Sequence, residues 1–321
     1  MNVFRTEKLS IGYKINNKIT KVFNDISFKA ISGELIAIAG KNGIGKSTLL
    51  KTLARFQKPI NGEIYFNDNN YLKFNNNEWA RIASIVTTAS FKAGLINVME
   101  VLYLGRYPYK NIYTKINSHD IELISKISEL TNIKHLLQKP MNQISDGEQQ
   151  RVMIARALVQ NTPVLLLDEP TAYLDLTNRY SIIDLLAKLA REQNKIIIFS
   201  THELTTALNE ADKIWLMSEN GFYEGTPEEL ILKGILNRAF ENENIKFDKE
   251  SLSFKIIKHS KLNIELNGCC DDYIFWTKKA LQRIGIECKN DKMAEIKIEI
   301  IKNNDEICWK ILNKSEIFLF Y

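Results

Sequence analysis

A chain of 321 residues, 45% hydrophobic and 25% charged, has the composition of an ordinary globular protein, long enough for one large domain with or without a small one. No segment approaches the roughly 18 consecutive apolar residues of a membrane helix, and residues 1–10 lack the apolar core of a secretory signal, so a cytoplasmic address is expected. The 43 basic and 38 acidic side chains, net +5, are spread without a basic block, and nucleic acid is not an expected partner.

Residues 3–13 and 22–28 have strand character and are expected to form an antiparallel flank. Residues 34–39 are a mostly apolar run ending at Gly40, and beyond Lys46 the apolar Leu49, Leu50 and Leu53 recur at helical spacing. Between that strand and that helix, Gly40, Lys41, Asn42, Gly43, Ile44, Gly45, Lys46 and Ser47 satisfy G-x-x-x-x-G-K-[ST] in full. Glycines let the backbone curl so that successive N–H groups face phosphate oxygens, and the helix N-terminus adds positive potential there. Lys46 is then expected to reach the β- and γ-phosphates, with the Ser47 hydroxyl on Mg²⁺.

A short strand at 82–86 precedes a stretch of helices and loops, a helical insert over about 90–160. The buried strand Val164–Leu167 is followed at once by Asp168 and Glu169, at the end where a parallel sheet presents its ligands. Asp168 is expected to hold Mg²⁺ through its water shell and Glu169 to polarise the attacking water as general base. Ile182, Leu185, Leu186 and Leu189 mark an amphipathic helix leading to another apolar strand at 196–199, and the alternation implies a parallel sheet wrapped by helices.

Residues 241–244 form a polar linker, after which the pattern restarts with a candidate helix at 276–284, an alternating strand at 295–301 and an apolar, aromatic run at 317–321. This is a small α+β appendage, in which Phe275, Trp276 and Trp309 suit either a sheet core or a docking surface. All four cysteines (Cys269, Cys270, Cys288, Cys308) lie here, and the adjacent pair lacks zinc-site spacing. Small buried residues are the simpler expectation for them.

Ile144, Ser145, Asp146, Gly147, Glu148, Gln149, Gln150 and Arg151 stand just before a helix. Asp168, Glu169, Pro170 and Thr171 follow, then Leu174 and Asp175, and His202 after the strand at 196–199. With the glycine loop, this ordered set resembles the ABC ATPases over residues 1 to about 240. The resemblance implies a P-loop NTPase of the ABC ATPase type: an α/β domain over 1–243 with a mixed sheet, an antiparallel flank and the helical insert, followed by the α+β domain over 244–321. ATP and Mg²⁺ are the implied cofactors. Gly40, Asn42, Gly43, Gly45, Lys46, Ser47 and Thr48 surround the phosphates, Tyr13 resembles the aromatic residue that stacks on adenine, and Ser47 and Asp168 hold the metal. Lys46, Glu169 and His202 are the implied catalytic residues, His202 as the switch histidine on the γ-phosphate. The signature residues Ser145, Asp146, Gly147 and Glu148 face the nucleotide of a second copy, and Asp175 sits on the loop that crosses the dimer interface.

Asp146 and Glu148 stand where the family often has glycine and glutamine. Thr88, after the strand at 82–86, aligns with the usual glutamine on Mg²⁺ and the permease; its shorter hydroxyl is an oxygen ligand that can act through a water. Residues 98–109, with Gly105, Arg106 and Pro108, resemble the opening of the insert in importers of iron-siderophore complexes, haem and vitamin B12. The implied function is the ATP-hydrolysing subunit of such an importer. Its implied partners are a second copy, an integral membrane permease and, indirectly, a periplasmic substrate-binding protein, with the chain peripheral on the cytoplasmic face of the inner membrane. The alternative is a soluble ABC ATPase in iron-sulfur assembly or another non-transport role.

Overall fold

The computed structural model describes the chain apart from residues 17, 88–95, 111–115, 173, 241–244, 250–251, 257–262, 289–295, 304–305, 314–315 and 321. It divides into two compact units, Met1–Phe240 with Lys249–Ser253, and Glu241–Asp248 with Phe254–Tyr321.

The first unit opens with a long antiparallel hairpin, β1 (Val3–Ile15) and β2 (Lys18–Ile31). Along β2 the residues Ile26, Phe28 and Ala30 point inward and their neighbours outward, the period-two pattern of a half-buried sheet. After β3 (Leu35–Gly40) and α1 (Lys46–Leu53), β4 (Asn61–Phe66) returns to β1 and the short β5 (Asn69–Asn70) completes a sheet of order β2-β1-β4-β5. Helix α2 (Asn76–Ala80) leads to β6 (Ala83–Val86). The insert follows as α3 (Val98–Leu104), α4 (Ser118–Leu130) and α5 (Asp146–Val159). The rest of the unit is β7 (Val164–Leu167), α6 (Leu176–Glu192), β8 (Ile196–Ser200), α7 (Leu204–Glu210), β9 (Lys213–Ser218), β10 (Gly221–Gly225), α8 (Pro227–Leu232) and α9 (Ile235–Phe240).

The second sheet runs β10-β9-β3-β8-β7-β6, parallel except for β10. β7 and β8 are buried at every position, which is why they read as continuous apolar runs. Phe4, Leu9, Ile26 and Phe28 of the hairpin join Ile36 and Ile38 of β3 and Leu49, Leu50 and Leu53 of α1 in one core. Phe28 stacks on Trp215 with ring centroids 3.7 Å apart, which joins the two sheets.

The insert helices α3, α4 and α5 each begin with a capping box, Asn97 with Glu100, Asn117 with Asp120 and Ser145 with Glu148. Asp120 has a second task. Its carboxylate is buried, receives Arg106 Nε at 2.8 Å and pairs with the Lys110 ammonium, while Arg106 Nη1 donates to the Val159 carbonyl at the end of α5 at 3.0 Å. Burial pushes this carboxyl up, but the Lys110 and Arg106 contacts and the capped N–H outweigh it and hold the group at about 2. One buried acid thus ties the turn after α3 to α4, and its arginine ties that turn to α5.

The second unit holds a β-hairpin, β11 (Ile245–Asp248) with β12 (Ser253–Ile256), and a five-stranded sheet. The sheet consists of β13 (Asn263–Gly268), β14 (Glu287–Cys288), β15 (Ile296–Asn303), β16 (Glu306–Asn313) and β17 (Glu316–Phe320), in the order β14-β13-β15-β16-β17. Helix α10 (Asp271–Arg283) follows β13 and packs Ile274 and Leu281 on the buried Ile264, Leu266, Ile298 and Ile300. The helix begins five residues before the expected 276, because Asp271 and Asp272 suit the positive end of a helix and Ile274 belongs to the buried stripe. Trp309 packs half-buried against this core and its Nε1 donates to Thr277 Oγ1 at 2.8 Å, whereas Phe275 and Trp276 are exposed. The expectation of buried cysteines holds for Cys308 alone: Cys269 is exposed, and Cys270 and Cys288 are half-buried.

Candidate active site

β3, β8 and β7 are adjacent and parallel, so the loops that leave their C-terminal ends converge. The first is the glycine loop. Gly43 and Gly45 have φ of +80° and +118°, and a Cβ on Gly45 would come within 2.7 Å of Val22, so the loop cannot turn into α1 with side chains there. Lys46 is buried and its ammonium donates to the carbonyls of Gly40 at 2.8 Å and Lys41 at 3.2 Å. Burial lowers its pKa, and the nearby Glu169 and Asp168 act in the opposite sense.

Ser47 Oγ, in the first turn of α1, donates to Asp168 Oδ1 at 2.9 Å. Asp168 is itself buried after β7 and takes a second hydrogen bond on the same oxygen from Ser200 Oγ, at 2.7 Å. That Ser200 hydroxyl also accepts from the Glu169 N–H at 2.9 Å, holding Glu169 in a left-handed conformation, φ +47°, that an L residue seldom adopts. From the loop after β8, His202 places Nδ1 3.5 Å from Glu169 Oε2 while remaining 53% exposed on its side chain.

These groups open on a cavity of about 460 Å³ lined by Tyr13, Asn42, Gly43, Gly45, Lys46, Ser47, Thr48, Glu169 and His202. Tyr13 is 44% exposed and its hydroxyl is 2.9 Å from Thr48 Oγ1, which steadies the ring at the rim. An ammonium, a helix N-terminus, a carboxylate and an imidazole facing one space fit a polyphosphate undergoing attack by water. Ser47 and Asp168 supply adjacent hard oxygen donors, which suit Mg²⁺ sharing its other positions with phosphate and water. Among the described residues no group of three His, Cys, Asp or Glu could hold a metal unaided.

The signature residues stand apart. Ser145, Asp146, Gly147 and Glu148 cap and begin α5, and neither they nor Asp175 line this cavity. The Ser145 hydroxyl donates to Glu148 Oε2 at 2.9 Å, and the Ser145 N–H donates to the same oxygen at 2.8 Å. These two bonds hold the Glu148 carboxyl below its ordinary range. Asp175 is the N-cap of α6 and accepts from the Asn178 N–H and side-chain amide, both at 2.8 Å. Asn178 Oδ1 in turn accepts from Arg151 of α5 at 2.6 Å, a bridge from the signature helix to the Asp175 loop. Sequence reasoning singled out neither Ser200 nor Asn178. A buried serine closing the strand before His202 was the available signal for the first; the second had none. Thr88 lies outside the described residues.

Comparison with known proteins follows the same division. Residues 23–172 match the family described as ABC transporter, and residues 260–320 match the iron ABC transporter C-terminal domain. The ferric enterobactin transport ATP-binding protein of Escherichia coli (strain K12) is 32% identical over 74% of this chain and 86% of its own. The iron(3+)-hydroxamate import ATP-binding protein of Bacillus subtilis (strain 168) is 32% identical over 81% of this chain and 98% of its own. Among solved structures, a dimeric ATP-binding cassette in a post-hydrolysis state with ADP and phosphate superposes with a TM-score of 0.59 at 25% identity, covering 70% of this chain and 98% of that one.

Proposed function

The chain belongs to the ABC transporter family, as one of its ATP-binding subunits, and from this we propose that it energises the import of an iron chelate of the siderophore class. The observation that carries the catalytic part is the convergence of Lys46, Ser47, Glu169 and His202 on one cavity at the ends of three adjacent parallel strands, with the buried Asp168 bonded to Ser47 beside it. The iron part rests on the names of the relatives and on the second family match at 260–320, and both favour transport over a soluble role in iron-sulfur assembly.

In this reading Lys46 exchanges the carbonyls of Gly40 and Lys41 for the β- and γ-phosphates. Asn42, Gly43, Gly45 and Thr48 complete the phosphate cradle, and Tyr13 stacks on adenine. Ser47 and Asp168 would hold Mg²⁺, whose chemistry there would be to neutralise phosphate charge. Glu169 accepts the proton of the attacking water, and His202, beside it, orients that water. Ser145 and the Gly147 N–H, flanked by Asp146 and Glu148 at the start of α5, close over the nucleotide of a second copy, with Asp175 at the same interface. One chain therefore holds two half-sites, and the homodimer is the catalytic unit.

No described helix is long and apolar enough to cross a membrane; in this reading, which rests on the importer relatives, the chain meets the bilayer through a permease. The permease surface in this reading includes the exposed Leu104 and Tyr107, on the turn that the Arg106–Asp120 pair fixes. The chain then lies at the cytoplasmic face of the inner membrane, opposite a periplasmic binding protein. The test is co-purification from membranes followed by ATPase assay in the presence of binding proteins loaded with iron-siderophore, haem or cobalamin. Stimulation by the iron-siderophore form supports the proposal; stimulation by another load reassigns the cargo, and a chain without a permease overturns the transport reading.

A further inference from the structure

Cys269 and Cys270 stand between β13 and α10, with their Sγ atoms 3.6 Å apart. The backbone on either side is fixed. The Cys269 N–H donates to the Ile300 carbonyl at 3.1 Å, continuing the pairing of β13 with β15, and the Cys270 carbonyl accepts the first hydrogen bond of α10, from the Ile274 N–H at 3.1 Å. Cys270 occupies the N-cap position in an extended conformation, yet its side chain caps nothing, and its contact is the other thiol.

We propose that Cys269 and Cys270 are a vicinal dithiol that closes reversibly to an intramolecular disulfide by exchange with a low-molecular-weight disulfide. The two sulfurs are not equivalent. Cys269 is exposed and Cys270 half-buried, and the hydrogen bond to Cys269, followed by burial, holds the Cys270 thiol above its ordinary range. Cys269, the more exposed of the two, is therefore the attacking sulfur, and Cys270 the resolving group. In the first step the Cys269 thiolate attacks one sulfur of the small disulfide, forming a mixed disulfide and expelling one thiolate. In the second, the Cys270 thiol loses its proton and attacks the Cys269 sulfur, expelling the second. The protein loses two electrons and two protons, and the small disulfide becomes two thiols.

A bond closed between adjacent residues is strained, and an exposed, strained disulfide has an oxidising potential, the property of a labile regulatory pair rather than a structural one. The remaining cysteines provide internal controls, since Cys308 is buried on β16 and Cys288 half-buried on β14.

The full chain is treated with glutathione disulfide, and peptides containing 269–270 are weighed. The expected result is loss of two hydrogen masses from that peptide, restored by dithiothreitol. Cys270→Ser should instead retain a glutathione adduct on Cys269, while Cys269→Ser should lose both adduct and mass change. Cys288→Ser and Cys308→Ser should react as the unaltered chain does. A glutathione adduct that persists in the unaltered chain, a disulfide between two chains on a non-reducing gel, or an unreacted pair overturns the proposal.

Discussion

Ser200 is the residue on which the site's two carboxylates depend together. Its hydroxyl donates to Asp168 Oδ1 and accepts from the Glu169 N–H, so Ser200→Ala leaves that N–H without its hydroxyl partner and Asp168 Oδ1 with the Ser47 hydroxyl alone. Folding stability should fall by about 1–3 kcal/mol, the cost of such an unmet group, measured by urea unfolding. The Mg²⁺ concentration giving half-maximal ATPase should rise as well, since Asp168 loses the contact that aims it; an unchanged Mg²⁺ dependence would remove the positioning role. Glu169→Gln keeps the shape and removes the proposed base. Hydrolysis should drop by about 10²–10⁴-fold while ATP remains bound, and the variant should elute as an ATP-dependent dimer in size-exclusion chromatography. Full turnover by this variant would reassign the base. At this scale Lys46, Ser47, Asp168 and Glu169 were legible, because their spacing is local to one loop or one strand end. The role of Ser200 was not, since its partners are 31 and 32 residues away.

The elements of the insert are secured by charge as much as by apolar contact, and Asp120 is the centre of that arrangement. Removing one partner of a buried pair strands the other, so Asp120→Asn should cost about 3–5 kcal/mol by denaturant unfolding. The pH dependence has a definite sign. A carboxyl held at about 2 when folded, against 3.8 ordinarily, contributes stability that is fully present above the ordinary carboxylate range. That contribution disappears as pH falls through about 2. The unaltered chain should therefore lose more stability than Asp120→Asn between about pH 4 and pH 2, and parallel pH profiles would refute the assignment. Sequence spacing located a helical insert and the resemblance singled out Arg106, but the 14-residue reach from Arg106 to Asp120 appears only when α4 folds back against the turn after α3.

For the whole molecule, the separation of the signature residues from the Lys46 cavity makes trans complementation the decisive experiment. Lys46→Ala and Ser145→Arg chains should each be inactive alone, and a mixture should regain ATPase activity, because a mixed dimer contains one intact composite site. Full activity of Ser145→Arg alone would place Ser145 outside the reaction, and a mixture that stays inactive would place it in the site of its own chain. The phosphate loop, the carboxylates after β7, the α/β class and the order of the motifs were readable without coordinates, because each is set by residue types at short fixed spacing and by burial of a central strand on both faces. Tertiary structure alone decided which groups support them. The Ser200 link, the Arg151–Asn178–Asp175 bridge, and the packing of the half-buried Trp309 on the sheet core against the exposed Phe275 and Trp276 all depend on contacts between segments distant in sequence or on which helix face meets a sheet. Such contacts are fixed by packing, which no local pattern encodes.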